Sequence, residues 1–129
     1  GTKRKTGTDL SALRKKLKVL RRHGLLRSDS LLDIIIRQRN FSRKTFGPDY
    51  RTRGIVEHIR KELVEVLSAP DDLEEWIDII ILALDGAWRT GATPADILVT
   101  LQRKQEKNER RKWPDWRKFG QDRAIEHLK

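Results

Sequence analysis

The chain of 129 residues contains no cysteine, which excludes a disulfide framework and any thiolate metal site. It also lacks a long apolar run. The six uncharged residues between Asp78 and Asp85 fall far short of the ~20 needed to span a bilayer. The basic N-terminus is followed by neither an apolar stretch nor a small-residue cleavage pattern, which argues against a secretory leader and for a cytoplasmic location. Strand-like alternation and internal repeats are absent too, so the expected fold class is all-α.

What the chain has in quantity is charge. Charged residues make up 37%, and 29 Lys and Arg against 19 Asp and Glu leave a net charge of +10. Such a balance favours polyanionic partners, either nucleic acid or phosphorylated small molecules. The charge is uneven, however: residues 1–53 hold most of the excess, 57–85 are acid-rich, and 103–118 are basic again. An acidic middle between basic flanks is not the pattern of a simple DNA-coating protein. Four Trp and an apolar fraction of 36% support one globular domain with its own core.

Helical spacing organises the sequence. Residues 1–30 read as a basic N-terminal extension, partly disordered, with one short helix over "SALRKKLKVLRR" capped by Asp9 or Ser11 and ended by Gly24. Residues 31–129 read as the main domain. Its first helix, "LLDIIIRQRNFSRK", opens at Ser28 or Ser30, and "TFGPDYRTRG" follows as a loop. From Gly54, Ile55, Ile59, Leu63 and Val66 mark one face of a helix. "SAPDD" breaks it, with Asp71 or Asp72 capping "LEEWIDIIILALDGAWRTG". Thr93 and Pro94 start a further helix to about Arg111, and a short amphipathic helix is expected from Arg117 to Leu128. Trp76, Trp88, Trp113 and Trp116 read as packing residues.

Acids sit where a core should exclude them. Glu62 and Glu65 are three apart and share a helix face beside the apolar stripe. Glu75 and Asp78 repeat that spacing on the next helix, and Asp85 continues the face two turns on. The isoleucines and leucines around them cover nearly every direction of that helix, which predicts an internal helix. A short turn makes the two helices antiparallel neighbours, so E-x-x-E can face E-x-x-D. Four converging carboxylates need cations, and hard oxygen ligands without His or Cys suit Mg²⁺, with Mn²⁺ as a substitute. Asp85 is also open to a simpler role, bonding a backbone group or an Arg. His58, one turn before Glu62, is read chiefly as a structural histidine.

Further on, "KQEKNERRKWPDW" places Lys104, Asn108 and Arg111 on one helix face with Lys107 beside them. Cations and an amide so arranged suit phosphate oxygens.

"EHIRKELVEV", "DDLEEWIDIIILALDGAW" and "KQEKNERRKWPDW" together resemble the MazG-like all-α nucleoside triphosphate pyrophosphohydrolases. "FSRKTFGPDYRTRGIVEHIRKEL" and "NERRKWPDW" look most like their phage and bacterial dATP/dGTP diphosphohydrolase group, the MazZ-like proteins. The resemblance covers about residues 38–118. It implies a MazG-like bundle built on an antiparallel helix pair and completed by oligomerisation to a dimer or tetramer. It further implies a Mg²⁺-dependent conversion of a purine dNTP, dGTP or dATP, to dNMP and pyrophosphate. In a phage-encoded enzyme, acting in the host cytoplasm, that reaction can feed 2-aminoadenine nucleotide synthesis. By the same resemblance Glu62, Glu65, Glu75 and Asp78 are metal ligands, with Glu62 or Glu65 as the catalytic base. Lys104, Lys107, Asn108 and Arg111 contact the triphosphate. The 41–53 loop is the candidate for base and sugar recognition, through Phe46, Tyr50 and Arg51 and the nearby Phe41, Ser42 and Thr45. The "SAPDD" connection is shorter than in many relatives, and Lys61 stands where some carry another Glu.

A different reading is a basic helical nucleic-acid-binding protein, using the cations of residues 3–27 to track phosphates. A third is an adaptor bundle with its acids paired internally. Both predict no Mg²⁺-dependent change in dNTPs.

Overall fold

The computed structural model describes residues 10–22 and 29–129. Five α-helices, and no strand, occur among these residues: α1 Leu10–Arg22, α2 Leu31–Phe46, α3 Thr52–Ser68, α4 Leu73–Trp88 and α5 Pro94–Arg110. The all-α expectation is borne out. The expected caps at Asp9 and Ser28, the stop at Gly24 and the expected disorder of the first eight residues lie outside the described residues. None of the described helices is long and apolar enough to cross a membrane.

Local chemistry sets most helix ends. Ser30 caps α2 and Thr93 caps α5, each in a reciprocal capping box with the acid three residues on, Asp33 and Asp96. Asp72 caps α4 by accepting from the Glu74 amide at 3.0 Å. Gly47 closes α2 at φ 87, a left-handed value that a side chain would strain. The loop that follows is shorter than expected: α3 starts at Thr52, so Gly54 lies inside its first turn, and the Ile55 amide already bonds Arg51 O at 2.9 Å.

The expected helix over 117–128 does not form. Only a 3-10 turn at Trp116–Lys118 appears, Gly120 follows, and Asp122 adopts φ 66. A segment this short lacks the packing an isolated helix requires. The tail instead folds back on α5, where the Leu128 amide bonds Lys112 O at 2.8 Å and His127 meets the Trp113 ring edge-on.

α3 and α4 form the central hairpin. Its antiparallel sense is visible in the pairing of Glu62 and Glu65 with Glu75 near the turn, and of Ile55 with Gly86 at the far end. α2 packs across α4, and α5 rests on α2 and α4, while α1 packs on none of the other helices among the described residues. The core is small: Ile35, Ile55, Val66 and Trp88 are its buried apolar side chains.

Two burial expectations are corrected. α4 is not internal within one chain, because Leu73, Trp76, Ile77, Ile80 and Ile81 remain 40–71% exposed. Positions 73, 76, 77, 80 and 81 follow helical spacing and form one outer face. A hairpin flanked by two helices has no further layer to cover it. Trp76, Trp113 and Trp116 are likewise not core residues; only Trp88 is buried. The Trp76 indole donates to Pro70 O and so pins the turn before α4, and the Trp113 indole donates to Asn108 O at the end of α5.

Candidate active site

The antiparallel hairpin brings Glu62 and Glu65 of α3 against Glu75 of α4. One carboxylate oxygen from each lies within 4.8 Å of the others. Glu62 occupies the inner stripe of α3, where positions 55, 59, 62 and 66 succeed one another at helical spacing, and its side chain is only 13% exposed. Leu63, expected on that stripe, points outward and is half exposed.

Two oxygens of the trio lack partners. Glu62 Oε2 and Glu75 Oε2 are sealed from solvent with no hydrogen bond. Burial first, then repulsion from Glu65 and Glu62, pushes the Glu75 carboxyl up to about 7. A carboxylate held in this state binds a proton or a cation readily. Carboxylate oxygens crowded together, two of them unpaired, fit a hard divalent cation and offer nothing to a soft one. Asp78 stands apart from this trio; it is exposed and lines the adjoining hollow.

That hollow, about 370 Å³, is bounded by Phe46, Arg51 and Gly54 at one side and by Glu62 and Asp78 at the other. Ile55, Ile81 and Leu82 form apolar walls, and His58 and Asp85 complete it. The Arg51 guanidinium lies 5.0 Å over the Phe46 ring, and Phe41 meets Phe46 edge-on. Phe41, Phe46 and Tyr50 are all more than half exposed, so none packs in the core, and Tyr50 does not line the hollow. His58 is not a buried histidine either: its side chain is 58% exposed, with Nε2 3.5 Å from Glu62 Oε1.

Beneath the hollow lies a polar cluster that sequence reasoning reached only in outline. Asp85 and Arg89 are buried, one turn apart on α4, and Arg89 Nε lies 3.4 Å from Asp85 Oδ1. The Ser42 hydroxyl donates to the same oxygen, as does Trp88 Nε1 at 2.9 Å. Burial alone would raise the Asp85 pKa; Ser42, Trp88, Arg89 and Gln38 outweigh it and hold the carboxyl below its ordinary value. Arg89 also donates to the carbonyls of Gly47 and Asp49, tying down the loop that precedes Arg51. Ser42 is therefore committed to Asp85 and Arg89 and is not free to bond a base. Asp85 was open to pairing with an Arg, but Arg89 and the clamped loop carried no signal beyond the i, i+4 spacing.

Lys104, Asn108 and Arg111 do share one face. They line a second hollow of about 520 Å³ with Trp113 and the returning tail, Ile125 to His127 and Lys129. Arg111 donates to Asn108 Oδ1 at 3.0 Å. Lys107 is exposed and outside that hollow, and no residue lines both hollows.

No curated protein and no solved structure matches the chain. Residues 34–129 match the family model of dATP/dGTP pyrophosphohydrolases, so this chain belongs to that family of hydrolases acting on acid anhydrides.

Proposed function

We propose that the protein is a Mg²⁺-dependent enzyme that hydrolyses a purine dNTP to dNMP and pyrophosphate. The observation that carries this reading is the trio Glu62, Glu65 and Glu75, with two sealed and unpartnered oxygens beside a hollow of ligand size.

Glu62, Glu65 and Glu75 would hold the cation, with Asp78 at the edge of the site. A bound divalent ion supplies charge neutralisation on the phosphates and water activation at neutral pH. Water then attacks the α-phosphorus, the bond to the oxygen bridging α and β breaks, and pyrophosphate departs. The proton of that water passes to Glu62 or Glu65 as general base. His58 steadies Glu62 from one turn away. Phe46 and Arg51 offer a stacking surface for the base, with Tyr50 close by in the chain. Lys104, Asn108 and Arg111 contact the triphosphate, joined by Lys107.

The uncovered outer face of α4 supports a homodimer or tetramer, since a stripe of that width is seldom left to water. We further propose a cytoplasmic enzyme, and in a phage setting one whose dGMP product supplies 2-aminoadenine nucleotide synthesis.

The test is pyrophosphate release from each of the four dNTPs with Mg²⁺, for wild type and Glu75→Gln. Release from purine substrates that disappears in the variant supports the reading. A folded wild-type protein that releases none from any dNTP sinks it.

A further inference from the structure

Asp85 is 6% exposed, yet it lines the hollow beside the acidic trio. Its two oxygens are used very differently. Oδ1 accepts from Ser42 Oγ, Trp88 Nε1, Arg89 Nε and, at 3.5 Å, Gln38 Nε2. No donor among the described residues reaches Oδ2. Oδ2 is not among the sealed, unpartnered oxygens, as those of Glu62 and Glu75 are; the Asp85 side chain keeps 8% of its surface and lines the hollow, so Oδ2 is the oxygen left for a ligand there.

We infer that Asp85 is the base-reading residue of this site, its Oδ2 accepting the N1–H and 2-amino hydrogens of a guanine. The inference rests on the dNTP hydrolase reading above and adds to it the residue that chooses the base.

The chemistry of the two purine edges decides the direction. An ionised carboxylate only accepts hydrogen bonds. Guanine presents two adjacent donors, N1–H and the 2-amino group. Adenine presents its 6-amino donor beside the N1 lone pair, which a carboxylate oxygen repels. The cluster on Oδ1 fixes the carboxylate and keeps it charged, so it cannot turn into a donor to suit adenine. Ile55 and Leu82 give the hollow apolar walls, which raises the cost of leaving Asp85 unpaired. Phe46, with Arg51 over its ring, supplies a face on which the base can stack. The acids at the other side of the hollow then face the phosphates. Discrimination between bases by a well-placed polar contact is worth roughly tenfold to a hundredfold.

The experiment compares kcat/KM of the wild-type protein for dGTP, dITP and dATP with Mg²⁺. Deoxyinosine triphosphate keeps N1–H and lacks the 2-amino group. The expected order is dGTP, then dITP, then dATP, with at least a tenfold span. Turnover of dATP as good as that of dGTP overturns the inference while leaving the hydrolase reading intact. Hydrolysis of neither purine ends both. Asp85→Asn provides the second arm, with helical content checked by circular dichroism. A base-reading Asp85 predicts a fall for dGTP with dATP retained, so that the preference collapses. An equal fall for both nucleotides marks a structural residue and overturns the assignment. If Asp85→Asn does not fold, the substrate series on the wild type decides alone.

Discussion

The Glu62 side chain is only 13% exposed where its chain neighbour Leu63 is half exposed. The same inversion runs through α4, where Glu75 and Asp85 turn inward while Trp76, Ile77 and Ile80 turn outward. A helix that buries acids and exposes isoleucines is unstable logic for an isolated chain. It becomes consistent if a cation neutralises one face and another subunit covers the other.

Neutralisation of the acidic face by a cation is measurable as stability. A ligand at 100 times its Kd stabilises the folded state by about 2.7 kcal/mol, which for a domain of this size is roughly 10 °C in Tm. Mg²⁺ is expected to produce such a rise in thermal melts of the wild type. Glu75→Gln is expected to lose most of it while melting, in the absence of metal, no lower than wild type, because one of three mutually repelling acids has been neutralised. A Glu75→Gln protein that retains the full Mg²⁺ shift would place the ion elsewhere.

Glu75 also predicts a pH dependence. Its pKa is raised from 4.5 to about 7, so between those values the folded chain holds this proton more tightly than the unfolded chain does. Stability without metal therefore falls as pH rises through that window, and the loss is complete above about 7. Bound at this trio, Mg²⁺ would compete with the same proton, so its apparent affinity is expected to weaken as pH drops below 7. Chemical denaturation at pH 5 and pH 8, with and without Mg²⁺, checks both signs. A metal-free protein more stable at pH 8 than at pH 5 would show that other groups dominate.

Much of this is legible in the sequence. The capping residues Ser30, Asp72, Thr93 and Pro94 act locally, so their chemistry is readable from their neighbours alone. The E-x-x-E and E-x-x-D spacing predicts four converging acids, and a short turn leaves an antiparallel hairpin few alternatives, so Glu62, Glu65 and Glu75 do meet while Asp78 stands apart. What was not legible depends on distant partners. Which side of α4 faces the chain's own core is decided by α2, and the Asp85–Arg89 clamp needs Ser42 and the carbonyls of Gly47 and Asp49, some 40 residues away in sequence. The tail beyond Trp116 departs from its helical spacing for the same reason: contact with the end of α5 and the left-handed Asp122 decide its course.

Arg89 is the member of the clamp whose loss should cost most. Arg89→Ala leaves the buried Asp85 charge without its cation and two loop carbonyls without their donor. Removing one partner of a buried ion pair typically costs about 3–5 kcal/mol. Urea denaturation should show a loss of that size, against about 1–3 kcal/mol for Ser42→Ala. A loss for Arg89→Ala below that for Ser42→Ala would mean that the loop, rather than the ion pair, carries the cluster.

The outer face of α4 predicts assembly. Burying an isoleucine is worth about 1.5–3 kcal/mol, and Ile77 and Ile80 are exposed neighbours on one stripe. Wild-type protein is expected to sediment as a dimer or larger at micromolar concentration. Ile77→Asp with Ile80→Asp should shift it to monomer, since burying either charge unpaired adds its own penalty. A wild type that remains monomeric at high concentration would leave the stripe without its proposed cover.

Under the proposed function, Arg111 is the residue whose substitution should separate binding of the phosphates from binding of the metal. It lines the hollow with Lys104 and Asn108, which shares no residue with the acidic site. A guanidinium that pairs with phosphate oxygens contributes charge-assisted hydrogen bonds of about 1.5–3 kcal/mol each. Arg111→Ala should therefore lower kcat/KM for a dNTP by at least tenfold while leaving the Mg²⁺-induced rise in Tm unchanged. Its bond to Asn108 Oδ1, 3.0 Å in length, is a single part-buried contact within one turn of chain, so its loss predicts only a small change in stability. Arg111→Lys keeps the charge but not the forked geometry, so it should recover only part of the activity. Kinetics and melts on the same preparations test this together: a variant that loses the Mg²⁺ shift as well would show that the two hollows are coupled through the fold, and one that keeps full activity would remove Arg111 from the phosphate site.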